Sequence, residues 1–154
     1  MILKTLLILS TCTLGIYLGT QLVEAILIVP YWKNLSPDNF FALYKAYGES
    51  IHQFYAPITI VAILLPTATL VCSLFNKSKT DLLIWFMFSF SVLFFSTFFL
   101  YFKEANLSFA QRTISNDALI QELIKWENWH WGRVVFEIFA FGSGLTLLLK
   151  SKSF

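Results

Sequence analysis

Residues 126–133 read Trp-Glu-Asn-Trp-His-Trp-Gly-Arg. They open an apolar run that ends near Lys150, and they put a histidine and an arginine at its entrance. His130, Arg133 and Glu137 follow at steps of three and four, which is one face of a helix. Arg133 and Glu137 have the i,i+4 spacing at which opposite charges meet. A second carboxylate, Glu24, lies in another apolar run, just before Pro30. At 1.5 Å per residue, Glu24 and Glu137 both sit roughly 8–9 Å below the same surface. A charge in a membrane costs about 2.5–3.5 kcal/mol at mid-span, so each carboxylate needs a partner or a proton. Glu24 has no base near it in sequence and must find one across the bundle. The catalytic set expected from these groups is His130, Arg133 and Glu24. His130 would take a proton from an acidic C–H or a phenol. Arg133 would stabilise the resulting oxyanion, and Glu24 would orient the histidine or relay the proton. The competing expectation is an ion-paired lock inside a non-catalytic binder or helper subunit.

A second pattern involves metal-ligating types. Both histidines have a glutamate three residues upstream, Glu49 before His52 and Glu127 before His130. Carboxylate-bridged dimetal bundles use one glutamate from each of two helices and a Glu-x-x-His from each of the other two. Glu24, Glu49, His52, Glu104, Glu127 and His130 supply that set at comparable heights. Carboxylates and imidazoles suit iron or manganese, and a di-iron centre would activate dioxygen. Charges also gather at span ends without any metal, and Gly48 and Gly132 weaken helix continuity through the motifs. The cofactor is therefore a di-iron or manganese centre, or none.

The elements that must carry these residues are apolar helices. Hydrophobic residues make up 57% of the 154-residue chain and charged residues 13%, far from the soluble average. Four apolar blocks, 2–29, 55–75, 82–102 and 131–149, are each long enough to cross a hydrocarbon core. The expected fold is all-α: a single-domain integral membrane four-helix bundle over residues 1–154. The first block is too long for a signal peptide and has no small-x-small cleavage site before Glu24. A net charge of +2 without a basic cluster argues against nucleic acid as a partner. Cys12 and Cys72 are expected to be small packing residues rather than a disulfide.

Both long connections, 31–54 and 103–130, contain helical signals. Ser36 and Pro37 suit an N-cap and first helical position, as does Ser115 or Asn116 further on. These segments are expected to lie on the membrane surface or to extend spans two and four. Pro57 and Pro66 are expected to kink span two. Gly15-x-x-x-Gly19 and Gly142-x-Gly144 suggest close-packing faces, and Trp129 with Arg133 a cation–π brace. Lysines 4, 77, 79, 150 and 152 flank the short-loop side, which predicts cytoplasmic termini, while Trp32, Trp126, Trp129 and Trp131 would form a belt at the opposite boundary. A bacterial inner membrane fits the short loops.

The residues around span four also carry a resemblance. Asn106 follows span three, and Leu123, Trp126, His130 and Arg133 form a W-x-x-x-H-x-x-R pattern. "GTQLVEAILIVPYW" places Glu24 and a proline at the end of span one, and "QFYAP" opens span two at Tyr55. The chain resembles the small four-span membrane proteins that include the fungal anthrone oxygenases and many bacterial relatives. The resemblance implies a four-helix membrane bundle and an oxidoreductase using dioxygen on a lipophilic aromatic or quinone-like molecule. It carries over Glu24, Asn106, Trp126, His130 and Arg133. It does not include Glu49, Glu104 or Glu127, which weakens the dimetal set. Asn106, Trp126, Glu137 and Tyr55 are the substrate-binding candidates.

Overall fold

The computed structural model describes residues 2–76 and 80–150. They form four long helices: α1 (Ile2–Lys33), α2 (Pro37–Phe75), α3 (Leu82–Gln111) and α4 (Asn116–Lys150). Each is long and apolar enough to cross a membrane, and no strand occurs among the described residues. The expected all-α membrane bundle is the fold observed. The helices form a ring in chain order, α1 and α3 each packing against α2 and α4.

Both long connections extend spans instead of lying flat as separate surface helices. α2 starts at Pro37 with Ser36 in the N-cap position, although the serine side chain makes no capping bond. α4 runs unbroken from Asn116 through the motif to Lys150, and neither Gly48 nor Gly132 interrupts its helix. What remains between α1 and α2 is a three-residue turn, closed by backbone bonds from Asn34 to Tyr31 and from Leu35 to Trp32. Between α3 and α4, Arg112 takes the left-handed conformation that ends helices, with φ 53°. Its guanidinium pairs with Asp38 and lies over the Phe41 ring, tying this turn to the start of α2. At the other end, Asp81 caps α3 by accepting from Leu83 N–H at 2.9 Å. Lys77, Lys79 and Lys152, which carry much of the expected orientation, lie outside the described residues.

Two apolar cores are stacked along the bundle. One holds Leu14, Tyr17, Ala62, Met87, Phe94 and Ala140. Its closest approach is at Gly144, where an added Cβ would fall 2.6 Å from Thr11 Oγ1 and 3.2 Å from Met87 Sδ. Gly15 similarly admits the Phe141 ring, whereas Gly19 and Gly142 face open space. The second core fills the end that bears the α1–α2 and α3–α4 turns, and includes Trp32, Phe40, Phe102, Phe109, Leu123 and Trp126. Trp32 and Trp126 are thus core residues and not part of an interfacial belt. Their rings meet edge to face at 5.6 Å, because the span extensions enclose them. Trp129 and Trp131 do remain exposed. Cys12 is exposed on the apolar flank of α1 rather than packed, and Cys72 is half-buried; both are free.

Two departures from α geometry occur near one height. A π-turn occupies Glu24–Ile28 in α1 and another Phe98–Phe102 in α3. The first has a local cause: Pro30 has no N–H to continue the i→i−4 ladder, and Val29 N–H bonds instead to Glu24 O, five residues back. No comparable cause is evident in the sequence around Phe98.

Candidate functional site: a buried polar cluster between two apolar cores

The polar cluster lies between the two cores. Its centre is Arg133, whose Nη2 is 2.6 Å from His130 Nδ1 and 3.5 Å from Glu24 Oε2. A guanidinium only donates, so Nδ1 accepts and the ring proton resides on Nε2. That nitrogen donates to the Gln21 carbonyl at 2.9 Å, one turn before the first π-turn. Both histidine nitrogens therefore have partners. This arrangement does not offer His130 as the free base expected from its residue type. His130 instead holds Arg133.

The ring of His130 stacks on Trp126 at 5.0 Å and 16°, and Trp126 Nε1 donates to Asn106 Oδ1 at 3.0 Å. Asn106, Trp126, His130, Arg133 and Glu24 thus form one connected chain of contacts across α3, α4 and α1. Arg133 also lies 4.3 Å over the Phe102 ring. The expected brace with Trp129 is absent because the guanidinium has turned inward; Trp129 stacks on Tyr101 instead, at 5.2 Å and 8°.

Glu137 differs from the rest. It has no accessible surface, and neither carboxyl oxygen has a hydrogen-bond partner. The i,i+4 pair expected with Arg133 is loose: Nε and Oε1 are 4.0 Å apart, and Nε too lacks a partner. Gln21 Oε1 is a fourth buried orphan. Below these, Tyr17 and Thr59 meet through their hydroxyls at 3.1 Å, and Tyr55 donates to the Thr20 carbonyl at 3.2 Å. Gln21 and Tyr17 were not expected from the sequence. Their signal was present, since Tyr17, Gln21 and Glu24 follow at steps of four and three in an apolar helix.

The six-residue dimetal set does not assemble. Glu24 and His130 adjoin, with Oε2 and Nδ1 3.8 Å apart. Glu127 is drawn into a 2.6 Å ion pair with Lys33. Glu49 is exposed and accepts from Gln53 on its own helix, Glu104 is exposed, and the exposed His52 stacks on Phe98. Among the described residues no group of three or more His, Cys, Asp or Glu could hold a metal. The residues present do not fit a dimetal centre, because matching heights did not bring matching faces.

On the α2 side the cluster is covered by half-buried residues, Tyr44, Ile51, Tyr55 and Ile58, packed against the two cores. Along α2 no residue between Phe41 and Ala62 is buried. At the same level the other helices bury Gln21 and Glu24 from α1, Thr97 and Phe102 from α3, and His130 and Glu137 from α4. Around this level Val23, Ile26, Phe54 and Phe99 give an apolar outer surface, while the α2 stretch also exposes Glu49, His52 and Gln53. No family model, curated protein or solved structure matches the chain.

Proposed function

We propose that this protein is a membrane-embedded oxidoreductase that oxidises a lipophilic aromatic, quinone-like molecule with dioxygen. The observation that carries this reading is Glu137, fully buried with neither oxygen hydrogen-bonded. A lock closes its charges on one another, because an orphaned polar group in a bundle is costly. A ligand site leaves such groups open for its ligand.

The ligand enters from the bilayer past α2, whose residues 42–61 are none of them fully buried, since the aromatic core of Trp32, Phe40 and Trp126 blocks the axial route. In the reaction that the resemblance implies, a ring CH2 conjugated with a carbonyl across the ring loses a proton, for which Glu137 is the acceptor within the site. The carbanion forms a C–O bond with dioxygen, and the peroxide regains the proton. Loss of water then leaves a second carbonyl, so that CH2 and O2 become C=O and H2O. Arg133 stabilises the enolate oxygen in a site without bulk water. His130 and Glu24 hold the guanidinium, and Trp126, Asn106 and Tyr55 shape the ligand's surroundings. Both termini are assigned to the cytoplasmic side of a bacterial inner membrane, on the lysines that flank the α2–α3 turn.

The test is oxygen uptake by the protein in lipid nanodiscs supplied with anthrone. Uptake above that of empty discs, cut roughly 100-fold by Arg133→Gln, is the expected result. Uptake equal to empty discs, or unchanged in the variant, would contradict the proposal.

A further inference from the structure

The two unpartnered atoms that face each other are complementary. Arg133 Nε is a buried donor without an acceptor, and Glu137 Oε1 is a buried acceptor without a donor. Their 4.0 Å separation is too long for a direct bond. One oxygen placed about 2.9 Å from each, accepting from one and donating to the other, completes both. A hydroxyl group of a ligand does this, as a water molecule would; a carbonyl or ether oxygen has no proton to give. Resting on the oxidoreductase reading, we infer that the site takes its ligand by a hydroxyl, a phenol or the enol of a ketone, bridging Arg133 and Glu137. Glu137 is then the residue that accepts the hydroxyl proton.

The step balances within the site. With Glu137 ionised opposite the Arg133 guanidinium, 4.0 Å away, the ligand O–H bond breaks and a Glu137 Oε1–H bond forms. The electron pair stays on the ligand oxygen, where Arg133 Nε–H holds it. His130 takes no proton, since its Nδ1 is occupied by Arg133 and its Nε2 by the Gln21 carbonyl. Two orphans remain, Glu137 Oε2 and Gln21 Oε1, and Gln21 Oε1 is an acceptor for a second hydroxyl. That arrangement suits a dihydroxy aromatic better than a single phenol.

The test uses the full chain in nanodiscs and two probes, 2-hydroxyanthraquinone, whose visible band moves to longer wavelength on ionisation, and its O-methyl ether. The wild type should bind the hydroxy probe roughly tenfold more tightly than the ether, and the bound probe should show the ionised band. Glu137→Gln still accepts a hydrogen bond, so it should bind within a few-fold of wild type but leave the probe neutral. Equal ionisation in that variant would overturn Glu137 as the acceptor while leaving the oxidoreductase reading in place. Equal binding of the two probes would mean that the gap holds only water, and would also overturn the inference. Failure of the wider reading would appear as binding of neither probe. Should Glu137→Gln not fold, Glu137→Asp carries the test: its carboxyl, withdrawn from the bridging position, should lose the tenfold preference, and keeping it would count against the bridge.

Discussion

At the scale of single residues, function turns on which groups still have bonding capacity. His130 has none to spare: one nitrogen accepts from Arg133 and the other donates to a backbone carbonyl. Glutamine can do both, accepting through its amide oxygen and donating through its amide nitrogen. His130→Gln should therefore keep oxygen uptake within about tenfold of wild type, while His130→Ala, which releases Arg133, should lose roughly 100-fold or more. A proton-transferring histidine would show similar losses in both variants. Arg133→Lys should also lose most activity, because a single ammonium cannot span His130, Glu24 and the Phe102 face as a planar guanidinium does. Spacing alone placed His130, Arg133 and Glu137 on one face of a helix in a membrane. It could not tell which neighbour Arg133 would choose, since that depends on Glu24 arriving from a helix more than one hundred residues away in sequence.

Elements decide where those groups meet. Span existence and the helical extensions were legible, because apolar length and the Ser36-Pro37 and Ser115-Asn116 start signals are local properties. The facing of each helix was not. The Glu-x-x-His pairs had plausible heights, yet Glu49 and His52 lie on a stretch of α2 that buries nothing. The π-turn at Glu24–Ile28 was also missed, although Pro30 marked a break in the ladder. A π-turn holds one residue more than the α-helix it interrupts, and such turns are frequent at functional sites. Deleting Leu27, whose side chain is exposed, should convert the turn to α-helix while keeping Gln21 in the polar cluster and Trp32 in its core. The expected result is an unchanged helical signal by circular dichroism with loss of hydroxyanthraquinone binding. Retained binding would show that the π-turn does not position Glu24. Packing makes a separate prediction at Gly144. A methyl group there meets Thr11 and Met87, so Gly144→Ala should cost about 1–3 kcal/mol in a detergent unfolding titration.

For the molecule as a whole, the two cores close the site from both ends, and α2 covers its side with half-buried residues. Soluble bundles bury apolar side chains and expose polar ones. Here Ile16, Leu64 and Phe139 face outward, and Gln21, Glu24, His130 and Glu137 are enclosed. The central claim is that this enclosed cluster is a ligand site carrying unsatisfied groups, and not a lock. The unfolding free energy of Glu137→Met beside wild type, in lipid bicelles, tests it most directly. Methionine fills much the same volume and removes a carboxyl that makes no hydrogen bond. A ligand site predicts a variant as stable as wild type or more stable, by up to about 1–3 kcal/mol, the desolvation cost of an unsatisfied group. A loss of about 3–5 kcal/mol, the mark of a broken buried ion pair, would contradict the claim and make the cluster a lock.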